Sequence, residues 1–155
     1  MKAQTESLEE LVWQLRRAFR ELTVAADREL QPLGIQVGDR AFLEFLARET
    51  GPISLSDLAK KHSLSRQHIH QTLRRLPHAE WVEEIPDPAD HRAVLLRLSR
   101  EGWKFWERLR NVDRAFLNRL VVGLSEENVT AAKDLLTQLR HELSHIAKEV
   151  ADGQS

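Results

Sequence analysis

The chain has no cysteine among its 155 residues. A disulfide scaffold, a peroxide-oxidised thiol and a thiolate zinc site are all excluded. Nor is there an apolar run near the roughly 20 residues a membrane-spanning helix requires. The opening MKAQTESLEE lacks the apolar core of a signal peptide, so a cytoplasmic location and no membrane partner are expected. An excess of one charge is also missing, the formal net charge being −1. That balance excludes a protein that coats nucleic acid indiscriminately; any nucleic-acid contact must come from a local basic surface. No phosphate-binding glycine loop, Ser–His–Asp grouping or paired-carboxylate site stands out, so neither enzyme activity nor a cofactor is expected.

What is present suits one helical domain over 1–155, with 41% hydrophobic and 30% charged residues. Ser7 and Glu10 have capping-box spacing, and Leu8, Leu11, Val12, Leu15, Phe19 and Leu22 recur at helical intervals, predicting a helix over about 7–30. Pro32 and Gly34 break it. A second helix is expected over about 37–48, with Phe42, Phe45 and Leu46 inward, and a short one over Ser56 to His62. After a tight polar turn, Ser65 caps a helix that Pro77 ends. Two strands follow, Val82 to Ile85 and Ala93 to Leu98, with Val94, Leu96 and Leu98 alternating as one buried face. A long helix from Ser99 to Val122 stops at Gly123. Ser125 caps the last helix, whose stripe is Val129, Leu135, Leu136, Leu139, Leu143 and Ile146, and the final ADGQS reads as an unstructured tail. The fold class is therefore mainly α with a small β-hairpin. Two short helices joined by a turn and followed by a basic-tipped hairpin form a device for entering DNA grooves.

The segments LSDLAKKHSLSRQHIHQTLRRL and WVEEIPDPADHRAVLLRLSREG carry Asp90 and Arg92 at the hairpin tip, with Ser99 opening the next helix. They resemble the DNA-binding segment of the MarR family of bacterial transcription regulators. The resemblance implies a winged helix-turn-helix over about 37–98 and dimerisation helices over about 7–30 and 99–150. It also implies a homodimer that binds double-stranded DNA at a palindromic operator, mostly as a repressor, and responds to a small aromatic or phenolic effector. Some relatives sense oxidants through a cysteine, which this chain lacks. The long apolar stripes of the first and last helices agree with a symmetric dimer, because little else remains to cover both.

On the helix after Ser65, Ile69, Leu73 and Leu76 share one face and are expected in the core. The other face and its flanks carry Arg66, Gln67, His68, Gln71, Arg74 and Arg75. Gln pairs bidentately with adenine and Arg with guanine, while short polar groups such as Ser65 contact phosphate. The resemblance implies Arg66, His68 and Gln71 as base readers, with Arg75 as a phosphate clamp. It also implies that Asp90 orients Arg92 into the minor groove and that His91 adds a contact. The plain alternative is a solvated charged face.

Relatives usually have Gly where Glu80 stands, so a strained or differently shaped turn is expected there, and commonly Arg where Glu84 stands. From Ser56 to Arg97, seven cations (60, 61, 66, 74, 75, 92, 97) face six acids (57, 80, 83, 84, 87, 90). Weak, salt-sensitive DNA binding follows. A winged-helix module turned to protein contacts is the alternative reading.

His141-Glu142-Leu143-Ser144-His145 matches the HExxH pattern of zinc proteases. A catalytic zinc needs a third ligand and an open cleft, so the expectation is ordinary helix residues and no metal. A zinc-responsive regulator using His141 and His145 is the further alternative. Trp13, Phe19, Phe42, Phe45, Trp103 and Trp106 fall where, in the family, effectors enter between the DNA-binding and dimer parts. Each also reads plainly as core.

Overall fold

Ser7 does not start a helix. In the computed structural model, which describes residues 2–90 and 93–152, α1 runs from Lys2 to Leu30. The Ser7 hydroxyl donates back to the Ala3 carbonyl at 3.0 Å, the usual mid-helix use of serine, so the expected capping box is not formed. The chain then divides into two compact units, Met1–Asp113 and Arg114–Ser155.

In the first unit α1 ends in a 3₁₀ turn, Gln31–Leu33, closed by Gly34 at φ 72°. Helix α2 (Val37–Ala47) opens with a reciprocal cap between Gln36 and Asp39. Strand β1 (Ile53–Ser54) leads directly into α3 (Leu55–Lys61), whose cap is Ser54: its hydroxyl accepts from the Asp57 N–H at 3.1 Å. The turn to α4 (Arg66–Arg75) closes α3 with two reversed hydrogen bonds, from Leu64 N–H to the Ala59 carbonyl at 2.9 Å and from Ser63 N–H to the Lys60 carbonyl at 3.3 Å. That geometry needs a left-handed residue at its centre, and Ser63 supplies it at φ 53°. Ser65 caps α4 as expected, accepting from the His68 N–H at 3.0 Å.

Strands β2 (Val82–Pro86) and β3 (Val94–Leu98) form the hairpin, in register from Val82 opposite Leu98 to Pro86 opposite Val94. Strand β1 adds to the far edge of β3, giving the antiparallel order β1-β3-β2. Two residues are too few for periodicity to reveal, and β1 was not expected. Leu96 and Leu98 are buried, but Val94 is exposed, because it pairs with Pro86 at the outer end of the hairpin. At Glu80, where strain or a different turn shape is expected, no strain is found: residues Ala79–Trp81 form a 3₁₀ turn, and Ser63 is the one non-glycine residue with positive φ among those described.

Helix α5 (Arg100–Val121) begins at Ser99, whose hydroxyl accepts from Gly102 N–H at 3.0 Å and donates to the Glu80 carbonyl. The core draws Phe42, Leu43 and Leu46 from α2, Leu58 from α3, Ile69 from α4, Leu96 and Leu98 from β3, and Phe105, Trp106 and Leu109 from α5. Truncating one of these to alanine costs about 2–5 kcal/mol. Arg40 joins α2 to α5, donating to Asp113 at 2.9 Å (Nε) and 2.7 Å (Nη2) and to Glu44 at 2.6 Å (Nη1). Burial disfavours the Arg40 charge, but the two carboxylates outweigh it and hold its pKa above the ordinary value.

In the second unit the remainder of α5 is followed by a turn at Gly123 and by α6 (Glu126–Asp152), capped by Ser125 through the Asn128 N–H at 3.2 Å. The helix continues two residues into the segment read as an unstructured tail; the rest of that tail lies outside the described residues. Val129, Leu135, Leu136, Leu143, Ile146 and Val150 are all exposed. On α1, Leu8, Trp13, Leu15, Phe19 and Leu22 are exposed as well. Among the described residues no helix is long and apolar enough to cross a membrane.

Candidate nucleic-acid interface

At about 100° per residue, α4 sorts its side chains into sectors. Ile69, Thr72, Leu73 and Leu76 face inward; Ile69, Thr72 and Leu76 are buried and Leu73 packs on the core. Thr72, which the apolar pattern passed over, satisfies its hydroxyl by donating to the His68 carbonyl at 3.0 Å. Opposite them lies an exposed sector of Arg66, Gln67, His70, Gln71 and Arg74. The expected residues Arg66, Gln67, Gln71 and Arg74 therefore come together on one outward face. His70, which is not among the expected base readers, lies between Arg66 and Arg74 in that sector; its spacing of four from both is the signal that could have found it.

His68 and Arg75 lie on a flank instead. They line an open cleft of about 660 Å³ together with Asp27 and Arg28 near the end of α1 and Gln36 and Gly38 at the start of α2. Arg75 donates from Nε at 3.2 Å and from Nη2 at 2.9 Å to Asp39 Oδ1, a partner 36 residues away that the sequence reading missed. Ser65 is exposed at the helix start, with its hydroxyl on the His68 N–H.

The hairpin tip is closed by Asp87 N–H on the Ala93 carbonyl at 3.0 Å and by Ala93 N–H on the Asp90 carbonyl at 2.8 Å. The Asp87 carboxylate accepts from Ala89 N–H at 2.8 Å. These bonds order the turn on either side of His91 and Arg92, which themselves lie outside the described residues. On the hairpin, Arg97 is paired with Glu83 at 2.8 Å, and the hydrogen bond from Arg97 holds the Glu83 carboxyl below its ordinary pKa. Glu84 is exposed.

The six aromatic residues considered for an effector are distributed rather than gathered. Phe42 and Trp106 belong to the core, and Phe45 stacks on the His62 ring at 3.7 Å. Trp13, Phe19 and Trp103 are exposed, and the groove beside Trp13 is lined by none of the other five. On α6, His141 and His145 are exposed, and His145 meets Glu149 at 3.3 Å. Among the described residues no group of three or more His, Asp or Glu is arranged to hold a metal.

The profile of the winged helix DNA-binding domain family matches residues 38–102, which span α2 to the start of α5. The HTH-type transcriptional regulator BilQ of Clostridioides difficile (strain CD3) is 24% identical over 147 residues, covering 95% of this chain and 91% of BilQ. The transcriptional activatory protein BadR of Rhodopseudomonas palustris is 27% identical over 131 residues, covering 83% of this chain and 75% of BadR. A solved MarR family transcription regulator superposes with a TM-score of 0.78 at 27% identity, over 96% of this chain and 98% of that one. The S. aureus MepR–DNA complex shares the fold, with a TM-score of 0.74 at 23% identity over 86% of this chain and 97% of that one. Together these matches support a winged-helix DNA-binding transcription regulator of the MarR type.

Proposed function

We propose that the protein works as a homodimer that reads a palindromic operator with two copies of α4. The observation that carries this is the outward sector of Arg66, Gln67, His70, Gln71 and Arg74, all exposed and followed by an ordered hairpin. Such side chains suit base edges and phosphates of a major groove, and the hairpin then lies toward the adjacent minor groove, where the resemblance puts Arg92. The uncovered apolar stripes of α1 and α6 support the dimer. A two-fold arrangement of reading heads fits half-sites about one helical turn apart. Repression follows where such a site overlaps a promoter, because the bound dimer occupies the duplex.

The reading includes a small aromatic or phenolic effector. Its support is the cleft beside α4, since a molecule seated against His68 and Arg75 touches the recognition helix itself. Selection from random duplex DNA tests the whole reading: a palindrome is expected, with a dimer by light scattering at micromolar concentration. The recovered duplex is then titrated with and without a panel of phenols and benzoates. A stable monomer with no sequence preference would overturn the proposal.

A further inference from the structure

Asp39 places a carboxylate where a charge is costly, in a site only 2% exposed. Both of its oxygens are engaged. Oδ2 accepts from Gln36 N–H at 3.0 Å, and Oδ1 accepts from Arg75 Nε at 3.2 Å and Nη2 at 2.9 Å. Gln36 precedes the first residue of α2, and Arg75 is the last residue of α4. One buried group therefore joins the opening of one helix to the end of another. The same opening is tied to α1, because the Asp27 carboxylate accepts from Val37 N–H at 3.1 Å. Gly38 makes room for the arrangement, since a Cβ there would meet Arg75 Nη2 at 3.0 Å.

This changes what Arg75 can do on DNA. A guanidinium whose Nε and one Nη turn to a buried carboxylate has its charge compensated and its fork occupied. Arg74, one residue earlier, is exposed on the outward sector and makes no ion pair among the described residues. We propose that Asp39 is a positioning residue of the reading head: it holds Arg75, fixes the angle at which α4 is presented, and leaves phosphate contact in the last turn of α4 to Arg74. The proposal rests on the DNA-reading role of α4 given above.

The test uses the tightest duplex recovered by selection from random DNA, a scrambled duplex of the same length, and a series of salt concentrations. Arg75→Lys keeps the charge but cannot offer the fork, so operator affinity should fall about tenfold while scrambled-duplex affinity stays level. Arg75→Ala should lose operator affinity similarly, with an unchanged salt slope, and adding Asp39→Asn should cost little more. Arg74→Ala should instead flatten the slope by about one phosphate equivalent per reading head. Arg75 is half exposed, and Arg75→Lys keeps a cation beside Asp39, so the Arg75 variants carry the test even where Asp39→Asn does not fold.

Two results would overturn the positioning role. One is an Arg75→Lys protein that binds like the unmodified chain while Arg75→Ala flattens the salt slope, the signature of a phosphate clamp. The other is a lower melting temperature with operator-to-scrambled selectivity intact, the signature of a merely structural pair. A lack of any sequence preference in the unmodified protein would remove the DNA-reading role itself, and the positioning role with it.

Discussion

A Cβ at Gly102 would lie 2.0 Å from the carbonyl oxygen of Trp81. The first turn of α5 therefore packs backbone against the 3₁₀ turn that leads into β2, and the same carbonyl accepts from Ser99 N–H at 3.0 Å. Trp81 is fixed from its other side by stacking on Phe105 at 3.8 Å. Gly102→Ala must push these segments apart. A loss of about 1–3 kcal/mol in urea unfolding is expected, as for other overpacked sites. Unchanged stability would mean that the approach of these two segments relaxes without cost.

Ser63 pays the usual penalty of a left-handed side chain at the centre of the helix-turn-helix. Ser63→Gly removes that strain but adds freedom to the unfolded chain, which offsets part of the gain. A net stabilisation of about 0.5–1 kcal/mol is expected, with operator affinity preserved. A destabilised Ser63→Gly protein would show that the serine side chain contributes more than its strain costs.

His62 caps α3 with its ring stacked on Phe45, and its Nε2 stands 3.9 Å from Glu49 Oε1. Neither buried atom has a hydrogen-bond partner, while Lys61 holds the other Glu49 oxygen at 2.8 Å. Burial lowers the His62 pKa below 6.5, and Lys61 adds to this; Glu49 and Glu44 oppose it without reversing it. Above pH 6.5 the ring is neutral in both folded and unfolded chains. As pH falls through that value toward the lower folded pKa, the unfolded chain takes the proton first, and stability declines. Urea midpoints from pH 7.5 to 5 should show this decline, and His62→Gln should flatten it. An equal decline in the variant would assign it to other groups.

If α4 reads bases as proposed, Arg66→Ala and Gln71→Ala should each remove a bidentate contact worth about 1–3 kcal/mol and relax base preference at one position in each half-site. Arg92→Ala should weaken binding to many sequences alike and flatten the salt dependence by about one phosphate equivalent per wing. Glu84→Arg should strengthen binding by replacing a repulsive charge. Fluorescence anisotropy on the selected duplex and its single-base variants measures all four. If Arg66→Ala and Arg92→Ala leave affinity and slope unchanged in a folded dimer, the surface does not read DNA, and a role in protein contacts takes precedence.

The elements around the reading head were legible because their signals are local. Ser65 and Ser125 lie directly before the helices they cap, and the hairpin strands alternate between Pro-rich and helical boundaries. Ser7 carried the same local signal and misled, since a serine within a helix can also bond four residues back. What left no local trace is the set of distant pairs. Arg75 with Asp39 and Arg40 with Asp113 join residues 36 and 73 apart, and neither partner breaks the pattern of its own helix. At Glu80 the sequence leaves strain or a different turn shape open, and the backbone there is an unstrained 3₁₀ turn.

The pairing of cations in the reading half bears on how the protein finds its site in a cell. Lys61, Arg75 and Arg97 each already have a carboxylate. Only Lys60, Arg66 and Arg74 among the described cations of that half make no ion pair. Non-specific duplex holds a protein through such cations, and a genome offers about 10⁶–10⁹ such competing positions. On the proposed reading, a head with so few unpaired cations among its described residues would spend less time trapped on arbitrary DNA, and more copies would stay free to sample the operator. Occupancy would then track copy number closely, so that modest changes in expression shift regulation without any change in the operator contacts.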